Sequence, residues 1–539
     1  MTDMTELLAA MSLRQKIGQM IQAGFEGTEP NEAVTELIEK HHLGGVILFA
    51  RNIGTLEQVA SLNEGLQKSA ERSGTLPLWI SIDQEGGMVA RITEGVALMP
   101  GNMAIAAGGS ADASYRAAYV SGRELRALGI NLNFAPVLDV NVNPDNPVIG
   151  VRSFGESPET VGRFGAAAIR GYQEANVVAT AKHFPGHGDT NVDSHLDLPT
   201  ITHSRDRIER VELAPFRRAI AGGVDAIMSS HIYFPAFESQ KLPATLSHAV
   251  LTGLLRQELG YEGVIMTDCM EMQAISDHYG TIRAAVMAVE AGADTVLISH
   301  RYDLQVGAIE ALVEAVESGR ISEERIDESV KRLLVLKQRR GLLEGGEQHA
   351  DRERVYLPIE QIGSAEHREV ARRISEASIT LVKDEQGLLP LLPAVKTLVI
   401  SFEAAVSSFV DEAISMKATL GKALSAEGLS IEETVIPLAE AGGRLTEAVE
   451  RAKSSEFGQI VIGTYNASLN PAQAQLVQAV QALGVKLVIV ALRNPYDLRR
   501  FPEVSTYVAA YESRPLALSS AAKVLTGAIP ATGKLPVTL

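Results

Sequence analysis

Short unbroken apolar runs alternate along the first 340 residues with longer stretches whose apolar positions recur every three to four residues. The short runs have the length of buried strands and the longer stretches the period of helices packed on one face. This pattern predicts strands at Met20–Gly24, Gly45–Phe49, Leu78–Asp83, Asn131–Val137, Val178–Lys182, Ala226–Ser230, Val264–Asp268 and Thr295–Ser299. Helices are expected between them, among others over Asp112–Leu128 and Arg205–Gly222, and Ser12 with Gln15 forms a capping box at the start of the first helix. Eight such strand–helix repeats predict an α/β fold, a TIM-like (β/α)8 barrel over residues 1–340. Gly341-Leu342-Leu343-Glu344-Gly345-Gly346 breaks the pattern and opens an expected linker over 341–370. A smaller α/β/α sandwich is expected over 371–539, built on a parallel sheet with strands at Thr397–Phe402, Ile460–Tyr465, Leu487–Leu492 and Tyr507–Tyr511.

Composition narrows the function classes. A chain of 539 residues with 46% hydrophobic and 21% charged residues is a globular protein of at least two domains. Its formal net charge of −17 argues against nucleic acid or an anionic membrane as partner. The single cysteine, Cys269, excludes a disulfide framework and any zinc site built on several thiolates. The opening Met1-Thr2-Asp3-Met4-Thr5-Glu6 is acidic and precedes no long apolar run, so a cytoplasmic location is expected.

Five predicted strands end in polar groups: Asp83, Asp139 just beyond its strand, Lys182 with His183, Ser230 with His231, and Asp268. One such residue is ordinary; five at one barrel end imply a shared site. The densest stretch runs from Lys182 to His195, with His183, His187 and His195 among acids. Pro185-Gly186 removes the helix that would align His183 with His187 on a metal, so no metal or other cofactor is expected. Acid–base work suits the stretch better. Asp193 lies two residues before His195, and in an extended segment the carboxylate can orient the imidazole and stabilise its protonated form. Asp268 closes a buried strand, where it can serve as a helix N-cap or as a nucleophile. Asp83, followed by Glu85-Gly86-Gly87, can accept hydroxyl hydrogen bonds, while Arg91, Arg152 and Lys182 supply donors. That mixture suits a polyhydroxylated ligand.

Together these motifs resemble glycoside hydrolase family three, in its β-N-acetylglucosaminidase branch. The resemblance runs through Met11 to Met20, Asp83 to Gly87, Asn133 to Val140, Arg152 to Gly155, Lys182 to His195 and Gly263 to Asp268, and into the terminal Gly533 to Val537. It implies a retaining mechanism in which Asp268 is the nucleophile and His195, paired with Asp193, is the acid/base. Asp83, Arg91, Arg152, Lys182 and His183 match residues that grip the N-acetylglucosamine ring. The implied substrate is a cell-wall fragment in which N-acetylglucosamine is β-linked to N-acetylmuramic acid, handled during peptidoglycan recycling. Many relatives carry another acid or small residue where this chain has Cys269. A phosphorylase using inorganic phosphate as acceptor is the alternative enzyme, and a non-catalytic binder of wall fragments the alternative outside enzymes. Oligomeric state and aglycone preference are open at this stage.

Overall fold

A computed structural model describes residues 4–191, 198–343, 357–403 and 418–539. Eight parallel strands close into a barrel. They are β1 (Ile21–Ala23), β2 (Gly45–Leu48), β3 (Trp79–Ile82), β6 (Leu132–Asn133), β7 (Val178–Phe184), β8 (Ala226–Ser229), β9 (Val264–Cys269) and β10 (Thr295–Ile298). The order around the barrel is β1-β10-β9-β8-β7-β6-β3-β2, so each strand pairs with its sequence neighbour apart from one insertion. That insertion is a small antiparallel hairpin, β4 (Gln84–Gly86) with β5 (Val89–Ala90), immediately after β3. All eight expected strands are found, within a few residues at each end. Of the barrel strands β6 is the shortest: Pro136, which has no N–H to give to a ladder, lies just beyond it, and pairing with β7 resumes as one bridge at Val137 and Lys182.

Helices cover the barrel's outer face. The segment expected as one helix over Arg205–Gly222 is instead two, Arg205–Arg210 and Leu213–Ala221. At the break Glu212 turns inward and pairs with Arg207 at 2.8 Å. The capping box is present: Ser12 Oγ accepts from Gln15 N–H at 3.3 Å, and Gln15 Oε1 accepts from Ser12 N–H at 2.8 Å.

Among the described residues the second domain carries six strands, in the order β11-β16-β15-β14-β12-β13. They are β11 (Thr380–Asp384), β12 (Thr397–Phe402), β13 (Ile431–Ile436), β14 (Gln459–Thr464), β15 (Leu487–Ala491) and β16 (Thr506–Ala509). The sheet is mixed, not parallel as expected, since β11 runs antiparallel along β16. One apolar layer packs beneath the helices Leu420–Ala426 and Pro515–Leu525, the other beneath Leu445–Ala452 and Pro471–Gln481. The first layer also takes in Met88, Met103, Ala104 and Val151 of the barrel, so the two domains share buried apolar surface.

Candidate active site

Parallel barrels gather their functional groups where the strands end, on the loops that follow. Here a cleft of about 470 Å³ opens at that end, and Asp83, Arg91, Arg152, Lys182, His183 and Asp268 all line it. Asp193 and His195 lie outside the described residues.

The inner wall is a charged lattice. Lys182 Nζ reaches Asp83 Oδ1 at 2.8 Å and Glu85 Oε1 at 2.7 Å. Arg152 clasps Glu85 with both arms of its fork, Nε to Oε2 at 3.0 Å and Nη2 to Oε1 at 2.7 Å. Arg91 Nη2 approaches Asp83 Oδ2 at 3.4 Å. Burial would raise the Glu85 carboxyl, but Arg152 and Lys182 outweigh it and hold the group far below the usual carboxylate range. Burial acts against the Lys182 ammonium in turn, yet Asp83 and Glu85 keep it charged. Asp83 is the carboxylate of this lattice with access to the cleft, its side chain 17% exposed against 2% for Glu85.

Asp139, fully buried, organises the chain after β7. It accepts from His183 N–H at 3.1 Å, from His187 N–H at 2.7 Å, and contacts His183 Nδ1 at 2.7 Å. Burial would raise this carboxyl; His183 and His187 bring it below its ordinary value. His187 is pushed down to about 4, first by burial and then by His183, so it is neutral at pH 7. The loop lies so close to the barrel that a Cβ at Gly188 would stand 1.8 Å from Val140 O. Only glycine fits there. His183 and His187 sit edge to face with ring centres 5.7 Å apart, and their Nδ1 atoms are engaged by Asp139 and Thr190.

Asp268 stands within β9 on the cleft floor, where Cys269 N–H donates to its Oδ1 at 2.7 Å and sets the carboxylate's rotation. His231, singled out as a strand-end group, steadies this corner: its Nε2 lies 2.9 Å from Cys269 O and its Nδ1 2.9 Å from Thr245 Oγ1. Burial pushes the Cys269 thiol up to about 11, which leaves it protonated and a poor nucleophile at neutral pH. Donor atoms of Cys269, Glu271 and His300 lie within 4.8 Å of one another. Arg51 Nη1 is 3.1 Å from His300 Nδ1, and a guanidinium only donates, so the imidazole must accept. A cation already occupies that corner.

Glu85 and Asp139 were not assigned roles by sequence reasoning. The signal was in plain view for both: an acid beside two glycines, and an acid just past a strand. What the chain order does not state is that each meets a cationic or donor group from another strand.

A barrel whose strand ends bring carboxylates, a guanidinium fork and an ammonium around a sugar-sized cleft belongs to the class of carbohydrate-cleaving enzymes. The chain belongs to glycosyl hydrolase family 3: residues 12–336 match the family's N terminal domain and residues 379–539 its C-terminal domain. It is similar to the β-hexosaminidase A of Pseudoalteromonas piscicida, 34% identical over 94% of this chain and 91% of the relative. A β-hexosaminidase of Stenotrophomonas maltophilia strain K279a is 36% identical over 52% of this chain and 83% of its own length. Among solved structures, the family 3 β-N-acetylglucosaminidase from Paenibacillus sp. str. FPU-7 superposes with a TM-score of 0.92 at 50% identity, covering 98% of this chain and 99% of that one.

Proposed function

We propose that this protein is a retaining, exo-acting β-N-acetylglucosaminidase that releases terminal N-acetylglucosamine from cell-wall fragments containing N-acetylmuramic acid. The observation that carries the reading is the convergence of Asp83, Arg91, Arg152, Lys182, His183 and Asp268 on one cleft. The β-N-acetylglucosaminidase and β-hexosaminidases it resembles support the same substrate class. We take residues 1–340 as the catalytic unit, 341–370 as the linker and 371–539 as the second domain.

In this mechanism the sugar's hydroxyls are gripped by the open carboxylate of Asp83 and by the donors of Arg91, Lys182, Arg152 and His183. Asp268 attacks the anomeric carbon and forms a glycosyl ester. His195, oriented by Asp193, protonates the departing oxygen and later removes a proton from the water that hydrolyses the ester. An imidazole acid suits an anionic leaving group: muramic acid carries a carboxylate, and a glutamic acid in the same position would leave a second anion beside it. The substrate is soluble and the protein needs neither a cofactor nor a membrane or nucleic-acid partner; we place it in the cytoplasm.

Asp268→Ala removes the attacking group and turnover should become nearly undetectable. A 5-fluoro N-acetylglucosaminyl fluoride should trap the ester on the wild type, and peptide mapping should find the label on Asp268. A label on Asp83 or Asp139 would overturn the assignment.

A further inference from the structure

The two loops that build the inner wall of the cleft both rest on the second domain. The first is the β4–β5 hairpin, which holds Glu85 and is flanked by Asp83 and Arg91. Arg514, the residue before the helix Pro515–Leu525, donates from Nε to Gly87 O at 3.0 Å and from Nη2 to Met88 O at 3.4 Å. Both carbonyls belong to the hairpin's turn, and Arg514 is itself buried. Gly87 has φ 56°, and a Cβ there would lie 2.7 Å from Gly101 Cα and 3.3 Å from Glu512 Oε2. The turn is therefore seated between a barrel segment and the sandwich with no slack.

The second loop carries Arg152. Asn141 donates from Nδ2 to Tyr496 Oη at 2.9 Å, and Asn141 Oδ1 accepts from Gly150 N–H at 3.2 Å, two residues before Arg152. Tyr496 is buried, and it shares an apolar cluster with Val151 and Met88, one residue from each loop. The two loops are also tied directly to each other, where Arg152 clasps Glu85.

The shorter Stenotrophomonas relative matches about half of this chain over most of its own length, and its unmatched remainder is smaller than the sandwich domain. A β-hexosaminidase can thus be built without such a domain, so the sandwich is not needed here to supply a reacting group. We propose that it acts as a positioning frame for the sugar-gripping residues, with Arg514 holding the hairpin and Tyr496 holding the Arg152 loop. This rests on the reading that Asp83 and its neighbours bind the sugar. Both are positioning residues: they reach the ligand only through the loops they hold, and a shift of about 1 Å in such a grip is enough to change rates on the order of a hundredfold.

The test uses the full chain and calorimetric binding of N-acetylglucosamine, whose stoichiometry counts the intact sites. Arg514→Ala should raise the Kd for N-acetylglucosamine and the KM for an aryl N-acetyl-β-glucosaminide by about tenfold, with kcat per intact site falling less. Arg514→Lys should recover part of the loss. Tyr496→Phe deletes one oxygen and should raise Kd severalfold without loss of fold. Variants that melt earlier but keep Kd and KM per intact site would overturn the proposal, since the contacts would then be merely structural. Asp83→Asn is measured alongside. If it too leaves Kd unchanged, the sugar-site reading itself fails; if it weakens binding while Tyr496→Phe and Arg514→Ala do not, only the frame fails.

Discussion

Glu85 and Asp83 are two residues apart and share Lys182, yet burial gives them different work. Glu85 sits between Arg152 and Lys182 with almost no access to water, while Asp83 faces the cleft. Removing the charge of Glu85 leaves the buried Arg152 guanidinium without its carboxylate and Lys182 with Asp83 alone. Glu85→Gln should therefore cost about 3–5 kcal/mol of stability, read from chemical unfolding. Because its carboxyl is held so low, this contribution is present at any pH above the ordinary glutamate range and is lost only in strong acid. Asp83→Asn, by contrast, should unfold close to the wild type and lose ligand binding. If the two variants unfolded alike, burial would not be what separates the roles. The distinction was only half legible in the chain. Asp83 could be picked out as an acid at a strand end, but the Glu85–Arg152 pair spans 67 positions and becomes visible only once the β4–β5 hairpin and the Arg152 loop are side by side.

At the level of elements, strands buried on both faces were easy to read because their whole length is apolar; β7 is buried at all seven positions. Besides the short β4–β5 hairpin, the strands missed were β11 and β13, which form the two edges of the second sheet. β13 reads Ile431-Glu432-Glu433-Thr434-Val435-Ile436 and is only partly buried until its last residue, so hydrophobicity alone does not announce it. An edge strand needs one covered side, and charge on it discourages pairing with other chains. The segment after β7 was legible for chemistry and not for geometry. Its glycines and the Asp139 bonds fix the chain as far as Thr190, while the Asp193–His195 pair follows outside the described residues. The pair can be tested in solution. His195→Ala should slow a natural disaccharide by about two to four orders of magnitude, because a poor leaving group needs the proton. An aryl glycoside should keep a faster first step and show a burst of phenol. Asp193→Asn should move the basic limb of the rate profile to lower pH, since an adjacent anion raises a histidine pKa and its loss lowers it. Equal losses on both substrates with an unchanged pH profile would make the pair structural.

Taken whole, the molecule pairs buried charge at both ends of the barrel, Lys182 with Asp83 and Glu85 where strands end, Asp225 with Arg340 and Asp294 with Arg256 where they begin. It also buries one lysine among neutral groups. Lys337, on the helix Glu323–Arg339, is fully buried; its Nζ donates to Gln19 Oε1 at 2.6 Å and lies 5.8 Å from the centre of the Trp79 ring. Lys182 in the cleft is buried beside two carboxylates and keeps its proton; Lys337 has neutral neighbours, and burial pushes it down to about 7. The consequence belongs to the whole fold, because the unfolded chain holds this proton up to about pH 10.4. Below pH 7 both states are charged and the folded one bears the full desolvation penalty. Between pH 7 and 10 the folded state releases the proton while the unfolded state retains it. The unfolded state then binds more protons, so stability from this group must rise with pH. Lys337→Met, similar in length and without charge, should remove that rise. The wild type should gain on the order of a few kcal/mol relative to the variant between pH 7 and 9.5, measured by chemical unfolding at fixed ionic strength. Stopping at pH 9.5 keeps the tyrosines out of the comparison. A stability difference between the two proteins that stays flat across this range would mean that Lys337 remains charged in the folded barrel, with Gln19 and the Trp79 ring sufficient to hold an ammonium without a counter-ion.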